Sequence, residues 1–192
     1  MKRTYAITAL AAGVAAVASV AAFSYGHQGT GASGAPATAT AMTQRAGWRP
    51  PHVPPSLRVP AGNHLVVSLR VLRGVQVYTC QAGAWTFTEP AANMGVTSDP
   101  TVLYTAGPEW VSTTDGSAVW GSPLKQVARQ GTIPDLLVKA VKNRGTGLFG
   151  RIDYIQRLDT AGGLPPTGGC TDGAITATPY HATENFWAPD SH

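Results

Sequence analysis

Between Gly62 and Trp187 the chain is a succession of short β-prone runs cut apart by turn residues. Side chains on a strand alternate between two faces, so an alternating run marks a half-buried strand. In Gly74-Val-Gln-Val-Tyr-Thr-Cys80, Val75, Val77 and Thr79 share one face, and Gln76, Tyr78 and Cys80 the other. After the turn Gln81-Ala82-Gly83, the run Ala84-Trp-Thr-Phe-Thr-Glu89 puts Trp85, Phe87 and Glu89 together, and the two runs read as a hairpin. Leu65 to Val71 and Val102 to Tyr104 are further strand candidates. Glu109 to Thr114 and Ala118 to Gly121 flank Asp115-Gly116, a dipeptide that tolerates the positive φ of a tight hairpin turn. Gly150 to Leu158 reads as a strand through Ile152, Tyr154, Gln156 and Leu158, and Pro179 to Trp187 as the last one.

One segment stays open. Leu136, Leu137, Ala140 and Val141 mark a helical face, with Pro134 suited to a helix's first turn. The segment Ile133 to Lys142 is also short enough to be a buried strand. Strand-sized pieces recurring every ~8–12 residues, with turns between, predict a mostly β, single-domain antiparallel β-sandwich or barrel. At most one or two short helices are expected. Charged residues are only 12% of the chain, fewer than its Gly (22) and Pro (15) together, which fits a turn-rich β domain better than a helical bundle.

The N-terminus has a different character. Lys2 and Arg3 precede an apolar run, Tyr5 to Phe23, and no charged residue intervenes before Arg45. A basic start followed by an uncharged apolar stretch is the pattern of an export signal. Val20-Ala21-Ala22 offers a small-residue cleavage site, which predicts a signal peptide over residues 1–22 and a secreted product. The alternative is an uncleaved N-terminal anchor with the domain facing outside. The run is mostly Ala, with Thr8, Gly13 and Ser19, so it is mildly apolar, and no stable membrane insertion is expected after cleavage. Residues 23–61 read as a linker. It is flexible where rich in Gly, Ala, Thr and Ser, then stiff and extended where Pro50, Pro51, Pro54, Pro55 and Pro60 cluster. Trp48, Val53 and Leu57 on that stiff part are placed to lie across the domain surface. The β-rich domain is expected over 62–188.

The chain has two cysteines, Cys80 and Cys170. An oxidising compartment allows them to pair. Closing a loop of ~90 residues is worth about 4–5 kcal/mol in the chain-entropy account. The formal charge is +4, from 14 basic and 10 acidic residues, and falls to +2 without Lys2 and Arg3. No basic cluster exceeds Lys139, Lys142 and Arg144, or Arg70 and Arg73. That is too sparse for a nucleic-acid footprint, and no nucleic-acid partner is expected.

Several segments, in order, resemble one family. They are Gly74 to Cys80 with Trp85-Thr-Phe87; Tyr104-Thr-Ala-Gly-Pro-Glu-Trp110 with Asp115-Gly-Ser117; Ile133-Pro-Asp-Leu-Leu137; and Tyr154-Ile-Gln-Arg-Leu-Asp-Thr-Ala-Gly-Gly163 with Cys170. They are similar to the secreted bacterial and fungal proteins grouped as domain of unknown function 3455, over roughly residues 60–187. The resemblance implies an exported, mostly β domain without an assigned reaction. Asp135 stands where relatives usually have a bulky aromatic, and Ala182-Thr-Glu-Asn-Phe-Trp187 replaces a more aromatic run.

Catalytic patterns are weak. Gly145-Thr-Gly147-Leu-Phe-Gly150 matches G-x-G-x-x-G, but a dinucleotide site needs a helix after the loop, and here a strand follows. It reads as a plain loop. No G-x-S-x-G is present, and His52, His64 and His181 lack metal-ligand spacing. No metal and no cofactor are expected. Asp115, Asp153, Asp159 and Asp172 could assemble in space as an acidic pair, which is the basis of an alternative reading as an extracellular hydrolase. Aromatic residues are numerous: Trp85, Trp110, Trp120 and Trp187, with Tyr78, Tyr104, Tyr154 and Tyr180. Rings on an exposed face would suit sugars or other apolar-faced ligands; otherwise they fill the core. Gln156 and Arg157 are unusual inside a strand motif, and one of them must point inward and be satisfied there. The reading favoured is a disulfide-stabilised, non-catalytic extracellular or envelope-associated binding module. Trp110, Trp120 and Gln156 are its candidate ligand-binding residues, with cell-wall polymer or a small ligand as partner.

Overall fold

Turn residues cut the chain into eight strands, and alternation within each strand gives the sheet one apolar face that must be buried. The computed structural model describes residues 52–190. The predicted signal peptide and the linker up to residue 51 lie outside the described residues. The strands are β1 (Asn63–Gln81), β2 (Ala84–Gly95), β3 (Val102–Thr105), β4 (Glu109–Ser112), β5 (Ala118–Arg129), β6 (Thr132–Arg144), β7 (Tyr154–Gly162) and β8 (Ile175–Pro189). Each pairs antiparallel with the next, and β8 returns to pair with β1, so the sheet closes into a barrel. Closure leaves no unpaired sheet edge. The helical content is one 3-10 turn, Pro55–Leu57, among the described residues. Of the two architectures left open by the sequence, the barrel is the one found. The ambiguous segment 133–142 is strand, inside β6.

The interior of the ring is the core. Leu69, Val71, Met94, Val102, Ile155 and Phe186 are buried there. In β1 the register slips between Val71 and Arg73. A one-residue slip exchanges the two faces of a strand. Odd-numbered residues, Leu69 and Val71, are buried before the slip, and even-numbered ones, Gln76 and Tyr78, after it. Trp110 on β4 stacks on Tyr104 of β3, with ring centroids 4.5 Å apart and planes within 6°. It meets Phe186 of β8 edge-on at 5.9 Å. Gly121 on β5 faces this ring, and a Cβ there would collide with Val138 and crowd Trp110.

A second, smaller apolar cluster lies on the outside. Leu57 is buried against Leu137 of β6 and Leu158 of β7, with Val53, Val59, Val127 and Tyr154 around it. The Pro-rich segment is therefore a strap across the outer face, as expected for Val53 and Leu57; Trp48 lies outside the described residues. Gln156 pins the strap. Its Nε2 donates to the Leu57 carbonyl at 2.7 Å, and its Oε1 accepts from Trp187 Nε1 at 3.0 Å.

Candidate ligand cavity at one end of the barrel

Antiparallel topology gives the barrel two unlike ends. The end that carries the β4–β5 turn and the β6–β7 loop is stoppered. Asp115, in the Asp-Gly turn, accepts N–H groups from Ser117 at 2.8 Å and Leu148 at 2.9 Å. Those bonds, Leu148 first and then Ser117, hold its carboxyl well below the usual carboxylate range. Ser117 Oγ accepts the Phe149 N–H at 3.0 Å. The glycine-rich loop 145–150 is thereby folded inward, and Phe149 is buried against Phe186 at 4.8 Å. The motif works as a plug, and the strand β7 follows it.

The other end carries the β1–β2 and β5–β6 hairpins and the β7–β8 connection. Cys170 in that connection is disulfide-bonded to Cys80 near the end of β1. Asp172 adds a bond from the Gly83 N–H at 2.9 Å. Tyr78 donates its hydroxyl to the Gly163 carbonyl at 2.5 Å. The connection is thus fastened to the β1–β2 hairpin along one side.

Beneath these hairpins is a cavity of about 550 Å³. Its wall is largely apolar, with Pro90 of β2, Pro108 beside β4, Pro123 of β5, and Ile133, Leu136 and Val138 of β6. Phe87 and Leu164 also line it, and both remain open to solvent, at 51% and 43% exposure. The polar lining includes Gln76 and Tyr78 of β1, Tyr104 of β3 and Arg157 of β7. A concave, mostly apolar space of this size with a few fixed polar groups has the form of a small-molecule site.

Arg157 is the charge in that wall. It is 8% exposed, and its Nη2 donates to the Pro134 carbonyl at 3.0 Å. Arginine stays protonated even when buried. Opposite Arg157 in the register of β7 and β8 is Glu184, with no exposed surface. Its Oε2 accepts from Trp110 Nε1 at 2.5 Å. Burial pushes its carboxyl up to about 7, while the Arg157 charge and the Trp110 bond pull it back. The two charges act on each other without touching, since no ion-pair contact joins them among the described residues. Burial, reinforced by the Glu184 charge, also raises the Tyr104 and Tyr180 hydroxyls above the usual tyrosine value. Four buried polar atoms in this interior have no protein partner: Gln76 Nε2, Arg157 Nε, Tyr180 Oη and Glu184 Oε1.

The structure does not bring Trp110, Trp120 and Gln156 together. Trp110 is inside the barrel, Gln156 is under the strap, and neither lines the cavity except through its neighbours. Trp120 lies on the outer face of β5, half-buried, with Lys142 Nζ 4.5 Å and the Arg144 guanidinium 5.4 Å from its ring centre. The four aspartates each have their own partners: Asp115 in the plug, Asp153 on Lys139, Asp159 near Arg129 at 3.8 Å, and Asp172 on the Gly83 N–H. Gln76 and Glu184 were missed by sequence reasoning. The signal for Glu184 was a lone acid in an otherwise uncharged strand, Ile175–Pro189. For Gln76 it was an amide on the same face as Tyr78 and Cys80.

Fold and cavity define a closed eight-stranded antiparallel barrel with a ligand-sized space at one end. Residues 97–188, β3 through nearly all of β8, match the family model described as protein of unknown function (DUF3455). Of the segments that carried the resemblance, those from Tyr104 onward lie inside the match, and Gly74 to Cys80 with Trp85 to Phe87 lie before it. No curated protein and no solved structure matches the chain.

Proposed function

We propose that the protein is an extracellular binding module that takes a small ligand with an apolar body into the open end of the barrel. The cavity carries the reading: about 550 Å³, apolar-walled, and rimmed by Phe87 and Leu164. Core-grade residues left at a mouth are what a ligand would cover. The export pattern behind Lys2 and Arg3 and the Cys80–Cys170 bond support an oxidising, extracellular setting. Among the described residues no helix is long and apolar enough to cross a membrane, a statement about helices alone.

A neutral apolar fluorophore, N-phenylnaphthylamine, tests the reading. Titrated into the purified protein, it should bind saturably at one site per chain with a rise in emission. Leu136→Trp, which fills the wall, and Thr88→Trp, which narrows the exposed rim, should each lower the affinity while the protein still unfolds cooperatively. The cavity reading fails if the probe does not saturate, or if both folded variants bind it as the parent does.

A further inference from the structure

The cavity also specifies one end of its ligand. We infer that the barrel binds an amphiphilic carboxylate, with its apolar body in the mouth and its anionic head against Arg157 and Gln76. This deepens the proposed function and rests on the same cavity.

Three observations on this wall support it. Arg157 is a permanent cation 8% exposed, with no carboxylate in contact with it among the described residues. Its Nε has no protein partner, and neither has Nε2 of Gln76, which is 3% exposed. Both side chains line the cavity. A buried donor without a partner is costly, and a buried charge without a counter-charge more so. The guanidinium fork offers two N–H groups in the plane that suits a carboxylate. Both groups are donors without acceptors beside a buried cation, a need that an ionised carboxylate meets with two oxygens and a charge, an alcohol with one neutral oxygen, and an alkylammonium not at all.

Glu184 does not already fill this role. It is the register partner of Arg157 on β8, but no ion-pair contact joins the two among the described residues, its carboxyl is hydrogen-bonded to Trp110, and burial opposes its ionisation. A ligand carboxylate would complete the charge balance of Arg157 from the open side. The apolar rim at Phe87 and Leu164 and the proline-rich wall would receive a hydrocarbon body.

The experiment compares dodecanoate, dodecanol and dodecyltrimethylammonium as competitors of N-phenylnaphthylamine on the full protein. Dodecanoate should displace the probe at about tenfold lower concentration than dodecanol, and the cation should be weakest, as expected for one charge-assisted bond. Arg157→Leu should bring dodecanoate to the level of dodecanol without weakening dodecanol, and Arg157→Lys should keep the preference. Gln76→Leu should reduce the preference in part. Equal displacement by acid and alcohol in the parent protein overturns the inference and leaves the cavity reading standing. Failure of the neutral probe itself to bind overturns the cavity reading instead. Should Arg157→Leu not fold, the parent's ligand series and Arg157→Lys decide the matter.

Discussion

Burial moves the Glu184 carboxyl from 4.5 to about 7, and that shift has a consequence for stability. The folded state holds the proton more tightly than the unfolded chain, so between those two values the native protein binds more protons. The contribution of Glu184 to stability is then greatest below about 4.5 and declines as pH rises toward 7, by an amount on the order of 3 kcal/mol. Urea unfolding at a series of pH values should show the decline, and Glu184→Gln should flatten it. A Glu184→Gln protein with the same pH dependence as the parent across that window would exclude a protonated Glu184. Asp115 acts with the opposite sign in a separate window. Its carboxyl is held below its ordinary value of 3.8, so its contribution is present above that value and is lost as pH falls further. Asp135 is a buried acid held by polar partners. Its buried carboxylate accepts from Arg129 at 3.2 Å and from the Thr160 hydroxyl at 3.0 Å and N–H at 3.3 Å.

At the scale of elements, the strap is the part whose role is easiest to misjudge. Proline fixes its backbone in advance, so docking it costs less conformational entropy than docking a flexible chain. Leu57 then covers Leu137 and Leu158, which point outward and would otherwise meet water. Leu57→Ala should lower unfolding stability by about 2–5 kcal/mol, the range for a buried leucine. Gln156→Leu should cost about 1–3 kcal/mol, because the Leu57 carbonyl and the Trp187 N–H both lose their partner. Denaturation midpoints would measure both. A Leu57→Ala protein as stable as the parent would mean that the strap does not hold to the barrel in solution.

The whole molecule is a ring sealed at one end and fastened at the other. Phe149 and the Asp115 turn make the seal, and the Cys80–Cys170 bond fastens the β7–β8 connection beside the mouth. The bond joins residues 90 positions apart, so breaking it releases much of the unfolded chain. Replacing both cysteines with Ala should lower stability by about 4–5 kcal/mol if the chain-entropy account holds. Non-reducing peptide mapping should show the single linked pair. Two alkylatable thiols in the unreduced protein would contradict the bond.

Local chemistry was enough to place most strands, the Asp115-Gly116 turn and the pairing of the two cysteines. Alternation, turn residues and cysteine count are each written within a few positions of the chain or in its composition. The same locality explains what was missed. Whether eight strands stack as a sandwich or close as a ring depends on β8 meeting β1, more than 90 residues away in sequence, and no local pattern encodes that meeting. The face of Gln76 relative to Leu69 depended on a register slip between them. Gln156 and Arg157 are neighbours on one strand, and the sequence left open which would point inward. Only the closed ring decided that Arg157 faces the cavity, while Gln156 turns outward and is buried by a segment about 100 residues earlier. The cavity itself is lined from β1, β2, β3, β5, β6 and β7 together, so it belongs to the way the strands come together around the barrel and not to any one of them.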